Sequence, residues 1–340
     1  MKTKKILAFI LTITLIMALA TGCAKPATED PKAQAANTAG AASTDYPTKP
    51  ITLMLGFSAG GSSDVMVRIL ASTMEKYIGQ PVVVVNKPGA GGWVAWEELA
   101  KSVKPDGYTF SLVNSPNISL GAYDPVNPRK FTLDDFDLLV NHVTDYSVIA
   151  IRKDETRYTD LKSLIEYAKN NTLLSACSAL GIISDDATVT ERFNMELGTK
   201  FEIVQTGGAK ESETMFISKD SDVLVANIAD TFTAHKNGDF KIIAVFAPER
   251  SEIIPDVPTA EELGFGKMYG FSARGYALPK GVDPAIREKL LDALKKSIED
   301  PAVKDKLLEL GAQTHFLEGQ AYRDFLNENI TSAKKIYGIQ

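Results

Sequence analysis

The body of this chain is predicted to be an α/β fold, on three observations. Short apolar strands alternate with helical stretches from Ile51 onward. Val82 to Val85 is an unbroken β-branched run, the composition of a strand covered on both faces. Loops rich in glycine, serine and asparagine follow directly on several strands. The rhythm implies helices layered on a largely parallel sheet, and no solenoid-length repeat is visible.

The folded part is expected to start at Tyr46-Pro47. Ile51 to Phe57 reads as the first strand and Ser58 to Asp64 as the turn after it. Val65, Ile69, Leu70, Met74 and Ile78 recur at helical spacing, and Gly79-Gln80-Pro81 stops that helix. After the Val82 strand comes a second glycine loop, Asn86 to Gly92, then a helix over Trp93 to Lys101 and a turn at Pro105-Asp106-Gly107. Tyr108 to Val113 is the third strand and leads into Asn114 to Asn117. Strands are expected at 148–151, 173–176, 201–204, 223–226 and 241–246, and helices at 160–169, 187–197, 288–299 and 302–310, with Pro301 marking a boundary.

Ahead of this body, Lys2, Lys4 and Lys5 precede an apolar run from Ile6 to Ala20, broken only by Thr12 and Thr14. A charged start, a short apolar middle and small residues before a cut describe an export signal over residues 1–22. The run is short for a membrane span, which needs about 20 residues. Ala20-Thr21-Gly22-Cys23 also resembles the lipobox of bacterial lipoproteins, in which the cysteine is acylated; the alternative is a secretory peptide with Cys23 incidental. Residues 23–45, rich in Ala, Thr and Pro, read as a tether too polar to bury a core. The expectation is an exported protein held at a membrane by Cys23.

Hydrophobic residues make up 44% and charged residues 24%, as in ordinary soluble domains, and the length suggests about two domains. The net charge of −6 argues against a nucleic-acid partner but leaves a small anionic ligand open, because local donors outweigh a distant net charge. With Cys23 acylated, Cys177 is alone and reads as a small buried residue. His142, His235 and His315 are scattered, so neither a metal site nor a cofactor is expected.

Loops at the carboxyl ends of strands are where open α/β sheets bind ligands. A loop that opens a helix there presents unpaired N–H groups and the positive end of the helix dipole. Gly60, Gly61, Gly91 and Gly92 remove side chains that would block approach. A carboxylate or phosphate held through main-chain amides is the chemistry this favours; a tight turn without a ligand is the bland alternative. No Gly-Lys-Ser/Thr follows the glycines and no GxGxxG is present, so nucleotide readings fail.

Tyr46-Pro-Thr-Lys-Pro-Ile51, Gly56-Phe-Ser-Ala-Gly-Gly-Ser-Ser-Asp64, Arg68, Asn86-Lys-Pro-Gly-Ala-Gly-Gly92 and Pro105-Asp-Gly-Tyr-Thr109 stand in an order that resembles the Bug-type substrate-binding proteins of tripartite tricarboxylate transporters. Pro258-Thr-Ala-Glu-Glu-Leu-Gly264, Ala277-Leu-Pro279 and the Pro301 to Gly311 segment extend the likeness over residues 46–340. The resemblance implies a type II periplasmic-binding-protein fold, with two α/β domains joined by a hinge and a ligand cleft between them. Domain 1 would hold residues 46–146 plus 248–340, and domain 2 residues 147–247. The ligand would be a small organic carboxylate (a di- or tricarboxylate, or an amino acid), the partners two integral membrane subunits, the receptor a monomer, and no reaction would be catalysed.

Carried over, Phe57, Ser58, Ala59, Gly60, Gly61, Ser62, Ser63 and Asp64 would form the first gripping loop, with Asp64 fixing the loop from the helix start. Asn114 and Ser115 would line the same cleft. Ser178, Ala179, Leu180, Ser184, Thr206, Gly207, Gly208, Ala226 and Asn227 would meet the ligand from domain 2. Two positions depart from the family pattern: Ser184-Asp185-Asp186-Ala187 replaces a frequent Ser-x-x-His, and Ala226 replaces a frequent Asp. Asp185 and Asp186 would either cap the following helix or select a ligand with an amine. Arg274 would pair with a carboxylate or lie on the surface, and Trp93 and Trp96 read as packing residues. Lys153 to Arg157 reads as a solvated charged turn. A sensor domain for a membrane histidine kinase is a rival within the same fold. An exported hydrolase is disfavoured because GxSxG is absent and no histidine has a catalytic context.

Overall fold

The computed structural model describes residues 45–124, 127–177, 183–206 and 208–338. The expected leader, Cys23 and almost all of the tether lie outside these residues, as do Ser178, Ala179, Leu180 and Gly207. In chain order the elements are β1 (Ile51–Leu55), α1 (Ser62–Ile78), β2 (Val82–Asn86), α2 (Trp93–Lys101), β3 (Thr109–Ser115), α3 (Asn117–Leu120) and β4 (Phe136–Arg152). Then come α4 (Leu161–Asn170), β5 (Leu173–Cys177), α5 (Asp185–Leu197), β6 (Phe201–Gln205), α6 (Ala209–Ile217), β7 (Val223–Asn227), α7 (Ile228–Asn237) and β8 (Phe240–Val245). The chain ends with β9 (Phe271–Pro279), α8 (Pro284–Glu299), α9 (Pro301–Glu309), β10 (Thr314–Glu318) and α10 (Gly319–Tyr337).

Local chemistry sets the boundaries. In α1, Met66, Val67, Leu70, Met74 and Ile78 form one buried stripe, and Gly79 ends the helix at φ 78° with its N–H on the Glu75 carbonyl. Asp160 and Ser163 close a capping box at the start of α4. Asp283 and Asp300 cap α8 and α9, each followed by a proline at the first helical position, which accounts for the boundary at Pro301.

The strands follow the order β2-β1-β3-β9-β4-β7-β5-β6, with β8 and β10 also paired to β4. The expected largely parallel sheet is corrected here. β1 pairs in parallel with β2 and β3, and β5 with β6 and β7, but β9 is antiparallel to β3 and β4, and β4 is antiparallel to β7, β8 and β10. The reason is β4. At 17 residues it is about 55 Å long. Its first part pairs with β9 and β10, and its second part with β7 and β8. Only 148–151 reads as strand in the sequence, because Asn141, His142, Thr144, Asp145 and Ser147 break the apolar pattern; all five are buried.

Two α/β lobes result. In the first, helices cover both faces of β1, β2 and β3: Leu53, Leu70 and Leu294 share one core, and Trp96, Phe136 and Leu326 share the other. In the second, Ile149, Leu164, Phe193 and Phe246 pack on one side of β5–β7, and Val148, Phe216, Leu224 and Ile242 on the other. The second lobe takes more of the chain than the expected end at residue 247, since Ile254, Val257, Ala260 and Met268 all pack into its cores. Cys177 is buried among them, with its Sγ near the Thr190 hydroxyl.

Candidate ligand-binding site

The loop after β1 is built around Asp64. Its Oδ2 accepts from the Gly60 N–H at 2.9 Å and from Arg68 Nε at 3.0 Å, and its Oδ1 accepts from Asn86 Nδ2 at 2.8 Å. Asn86 Nδ2 also donates to the Phe57 carbonyl. Burial pushes the Asp64 carboxyl up, and the donors from Arg68, Gly60 and Asn86 outweigh it, leaving the group below its ordinary range. The strand stops at Leu55 and the helix already starts at Ser62, so Ser62, Ser63 and Asp64 form its first turn rather than the expected loop. Gly61 at the N-cap supplies no side-chain cap, so the first-turn amides keep their donors for a guest.

These residues face a cavity of about 490 Å³, a size suited to a small metabolite. Phe57, Ser58, Ala59, Gly60, Gly61, Ser62, Ser63, Asp64 and Asn114 line it, and from the second lobe so do Gly208 and Asn227. Two further helices start at its wall without a side-chain cap, α6 after Gly208 and α7 after Asn227. Three positive helix ends thus converge on one space.

Other expected residues stand apart from the wall. Ser115 is buried with its hydroxyl 2.7 Å from Ser119 Oγ. Ser184 caps α5 through the Ala187 N–H. Thr206 donates to the Gly208 carbonyl and pairs with Ser212. Ala226 lies in the β7 core. The second glycine loop is also corrected, for it packs instead of lining. A Cβ on Gly92 would meet the Trp96 ring at 2.5 Å, and one on Gly56 would meet Gly92 Cα at 2.6 Å. Trp93 and Trp96 are buried packing residues, with Trp96 Nε1 donating to the Leu112 carbonyl.

Of the charged residues on this side, the sequence reading left Asp185 and Arg274 between two roles each and missed Asp145 and Asp230. Because Ser184 takes the capping role, Asp185 is free to turn inward, where it accepts from Ser147 Oγ at 3.0 Å and Asn227 Nδ2 at 2.7 Å. Asp230, in the first turn of α7, has the Ser62 hydroxyl of the opposite lobe as a partner. Arg274 is not on the surface: it is 4% exposed, its Nη1 donates to Asp145 Oδ2 at 2.9 Å, and its Nε has no partner. Burial pushes the Asp145 carboxyl up to about 6 against the pull of Arg274, and burial likewise raises Asp185 and Asp230. Ser272 and Asn117 complete this side, with Ser272 Oγ donating to Asn114 Oδ1 at 2.7 Å. A charged residue inside the apolar pattern of 271–279 was the one signal available for Arg274.

The comparisons agree with this architecture. A family model described as the tripartite tricarboxylate transporter family receptor matches residues 66–339. A UPF0065 protein from the gbd 5′ region of Cupriavidus necator is 32% identical over 307 residues, covering 89% of this chain and 90% of that protein. BugT of Bordetella pertussis is 29% identical, covering 84% of this chain and 87% of its own. The solved periplasmic binding protein BugD superposes with a TM-score of 0.77 at 25% identity, covering 86% of this chain and 98% of that one.

Proposed function

Because this chain belongs to the tripartite tricarboxylate transporter receptor family, a family of solute-binding receptors acting outside the cytoplasm, we propose that it captures a small organic carboxylate in the cleft at the tip of β1 and passes it to the membrane subunits of a secondary transporter. The observation that carries this reading is the uncapped start of α1, whose first residues Ser62 and Ser63 line a cavity of about 490 Å³ together with Gly60 and Gly61. A carboxylate there receives main-chain hydrogen bonds and the field of the helix end, and ordered water can fill any gap at little cost.

Capture proceeds in two steps. The first lobe offers its donors in the open form. The second lobe then brings Gly208, Asn227 and Asp230 against the ligand, which shifts the population through these added contacts. The hinge lies where β4 passes between lobes near Tyr146 and Ser147 and where the chain returns ahead of β9, so two crossings absorb the motion. Domain 1 is accordingly residues 46–146 with the return from about 270, and domain 2 lies between. The cycle makes and breaks no covalent bond, and the receptor works as a monomer. Acyl chains on Cys23 hold it at the membrane.

A thermal-shift screen of mono-, di- and tricarboxylates and amino acids tests the capture step, since a saturating ligand raises Tm by mass action. Gly61→Trp should remove the shift while leaving the unliganded melting temperature near that of the wild type. A normal response from that variant would place the site elsewhere. Cys23→Ser should move the protein from the membrane fraction to the soluble fraction; retention would refute the anchor.

A further inference from the structure

The cleft wall carries an unusual balance of charge. One buried guanidinium, Arg274, is surrounded by three carboxylates, Asp145, Asp185 and Asp230, each close enough to interact with it electrostatically. Only Asp145 forms an ion pair with it. Asp185 and Asp230 line the cavity and are held by neutral partners, Ser147 and Asn227 for one and Ser62 for the other. The remaining cation of the wall, Lys210, is mostly exposed and engaged by Glu213 at 2.6 Å. Asp64 is already matched by Arg68.

Three carboxylates around a single guanidinium leave an excess of negative charge, and bringing a further dianion beside them adds like-charge repulsion. A guest with its own cation removes the conflict. The second, independent sign of a guest is on Arg274 itself: it is 4% exposed, it lines the cavity, and its Nε has no partner although buried polar groups are as a rule satisfied. The wall therefore holds unmet demand of both signs.

Resting on the receptor reading above, we propose that the cleft selects carboxylates that also bear a protonated amine, as amino acids do, over simple di- and tricarboxylates, with Asp185 and Asp230 receiving the ammonium group. The main-chain amides at the start of α1 hold the carboxylate, and an oxygen of the guest meets the unpartnered Nε of Arg274. An ammonium group has three donors, enough to reach Asp185, Asp230 and one neutral acceptor such as Asn114 or Asn227.

The test uses matched pairs that differ only in the amine: L-glutamate against glutarate, L-alanine against propionate, L-leucine against 4-methylpentanoate. Titration calorimetry on the full chain should show at least one amine-bearing member binding tenfold or more tighter than its partner. Asp185→Asn and, separately, the less buried Asp230→Asn should each cut that preference at least fivefold, while the affinity for the amine-free acid stays level or improves. The Asp230 variant decides the matter if Asp185→Asn fails to fold. Equal or tighter binding of the amine-free acids, with Gly61→Trp still abolishing it, overturns amine selection and leaves the receptor reading intact. Binding of neither class at millimolar concentration, by these pairs or by tricarboxylates, overturns both.

Discussion

Arg274 Nη1 lies 2.9 Å from Asp145 Oδ2, and this buried pair ties β9 to β4 just before β4 leaves the first lobe. Breaking a buried pair by removing one partner strands the other charge, which costs about 3–5 kcal/mol. Asp145→Ala should lose stability of that order in urea unfolding, and Asp145→Asn distinctly less, because an amide oxygen still accepts from the guanidinium. A loss under about 1 kcal/mol for the alanine variant would mean that Asp185 or Asp230 takes over as partner.

The glycines of the first lobe separate by role. A Cβ on Gly56 would sit 2.6 Å from Gly92 Cα and 2.8 Å from its carbonyl oxygen, backbone atoms that cannot rotate away. Gly56→Ala should cost about 1–3 kcal/mol by overpacking. At Gly61 the nearest atom to a new Cβ is the Ser58 carbonyl oxygen at 3.9 Å, and φ is −78°. Gly61→Ala should leave stability within about 1 kcal/mol of the wild type. Equal effects at the two positions would contradict this assignment.

Glu155 is the clearest pH probe. It accepts from Arg157 Nη2 at 2.7 Å, from Arg157 Nε at 2.9 Å and from Arg152 Nη2 at 3.2 Å, so the turn expected to be solvated shields Glu155, whereas its other acidic member, Asp154, stays exposed. Hydrogen bonds from Arg157 pull the Glu155 carboxyl down to about 2 against the opposing effect of burial. A carboxylate depressed on folding stabilises above its unfolded pKa and loses that contribution as pH falls through the folded value. Glu155→Gln should therefore cost about 1–2 kcal/mol at pH 7, discounted for the partial exposure of Arg157, and the gap should close between about pH 4.5 and pH 2. Unfolding free energies of both proteins across that range check it; a gap independent of pH would exclude the charge as its cause.

Cys177 should be chemically silent. It is fully buried, and burial pushes its thiol well above the ordinary range, with Asp186 adding to the effect. Native protein should show no labelling at this thiol by an aromatic disulfide reagent over an hour, and complete labelling in urea. Rapid native labelling would show that β5 opens locally.

The first-lobe half of the cleft was readable because its signal is local: an apolar strand, then Gly60-Gly61, then a helical stripe within one short segment. Gly208 and Asn227 of the second lobe were named as well, but the charged group beside them was not assembled. Asp145, Asp230 and Arg274 come from β4, α7 and β9, far apart in sequence, and they meet where β4 passes between the lobes. Gly89 to Gly92 misled because close packing against Trp96 and a ligand-facing turn call for the same residue. The acidic pair after Ser184 misled because Ser and Asp both suit an N-cap, and only the fold shows that Ser184 holds it. The antiparallel course of β4 escaped notice because its buried polar residues find hydrogen bonds far away in sequence: Asn141 Nδ2 donates to the His315 carbonyl, and His142 Nδ1 lies 3.1 Å from the Tyr276 hydroxyl.

Strand β3 is hydrogen-bonded to β1 on one edge and to β9 on the other, and the core around Trp96 is filled by Tyr322 and Leu326 of the last helix. A ribosome must therefore deliver nearly the entire polypeptide before the amino-terminal lobe can be completed. A product truncated ahead of α10 leaves that indole uncovered, so the last helix acts as the closing piece of the first lobe.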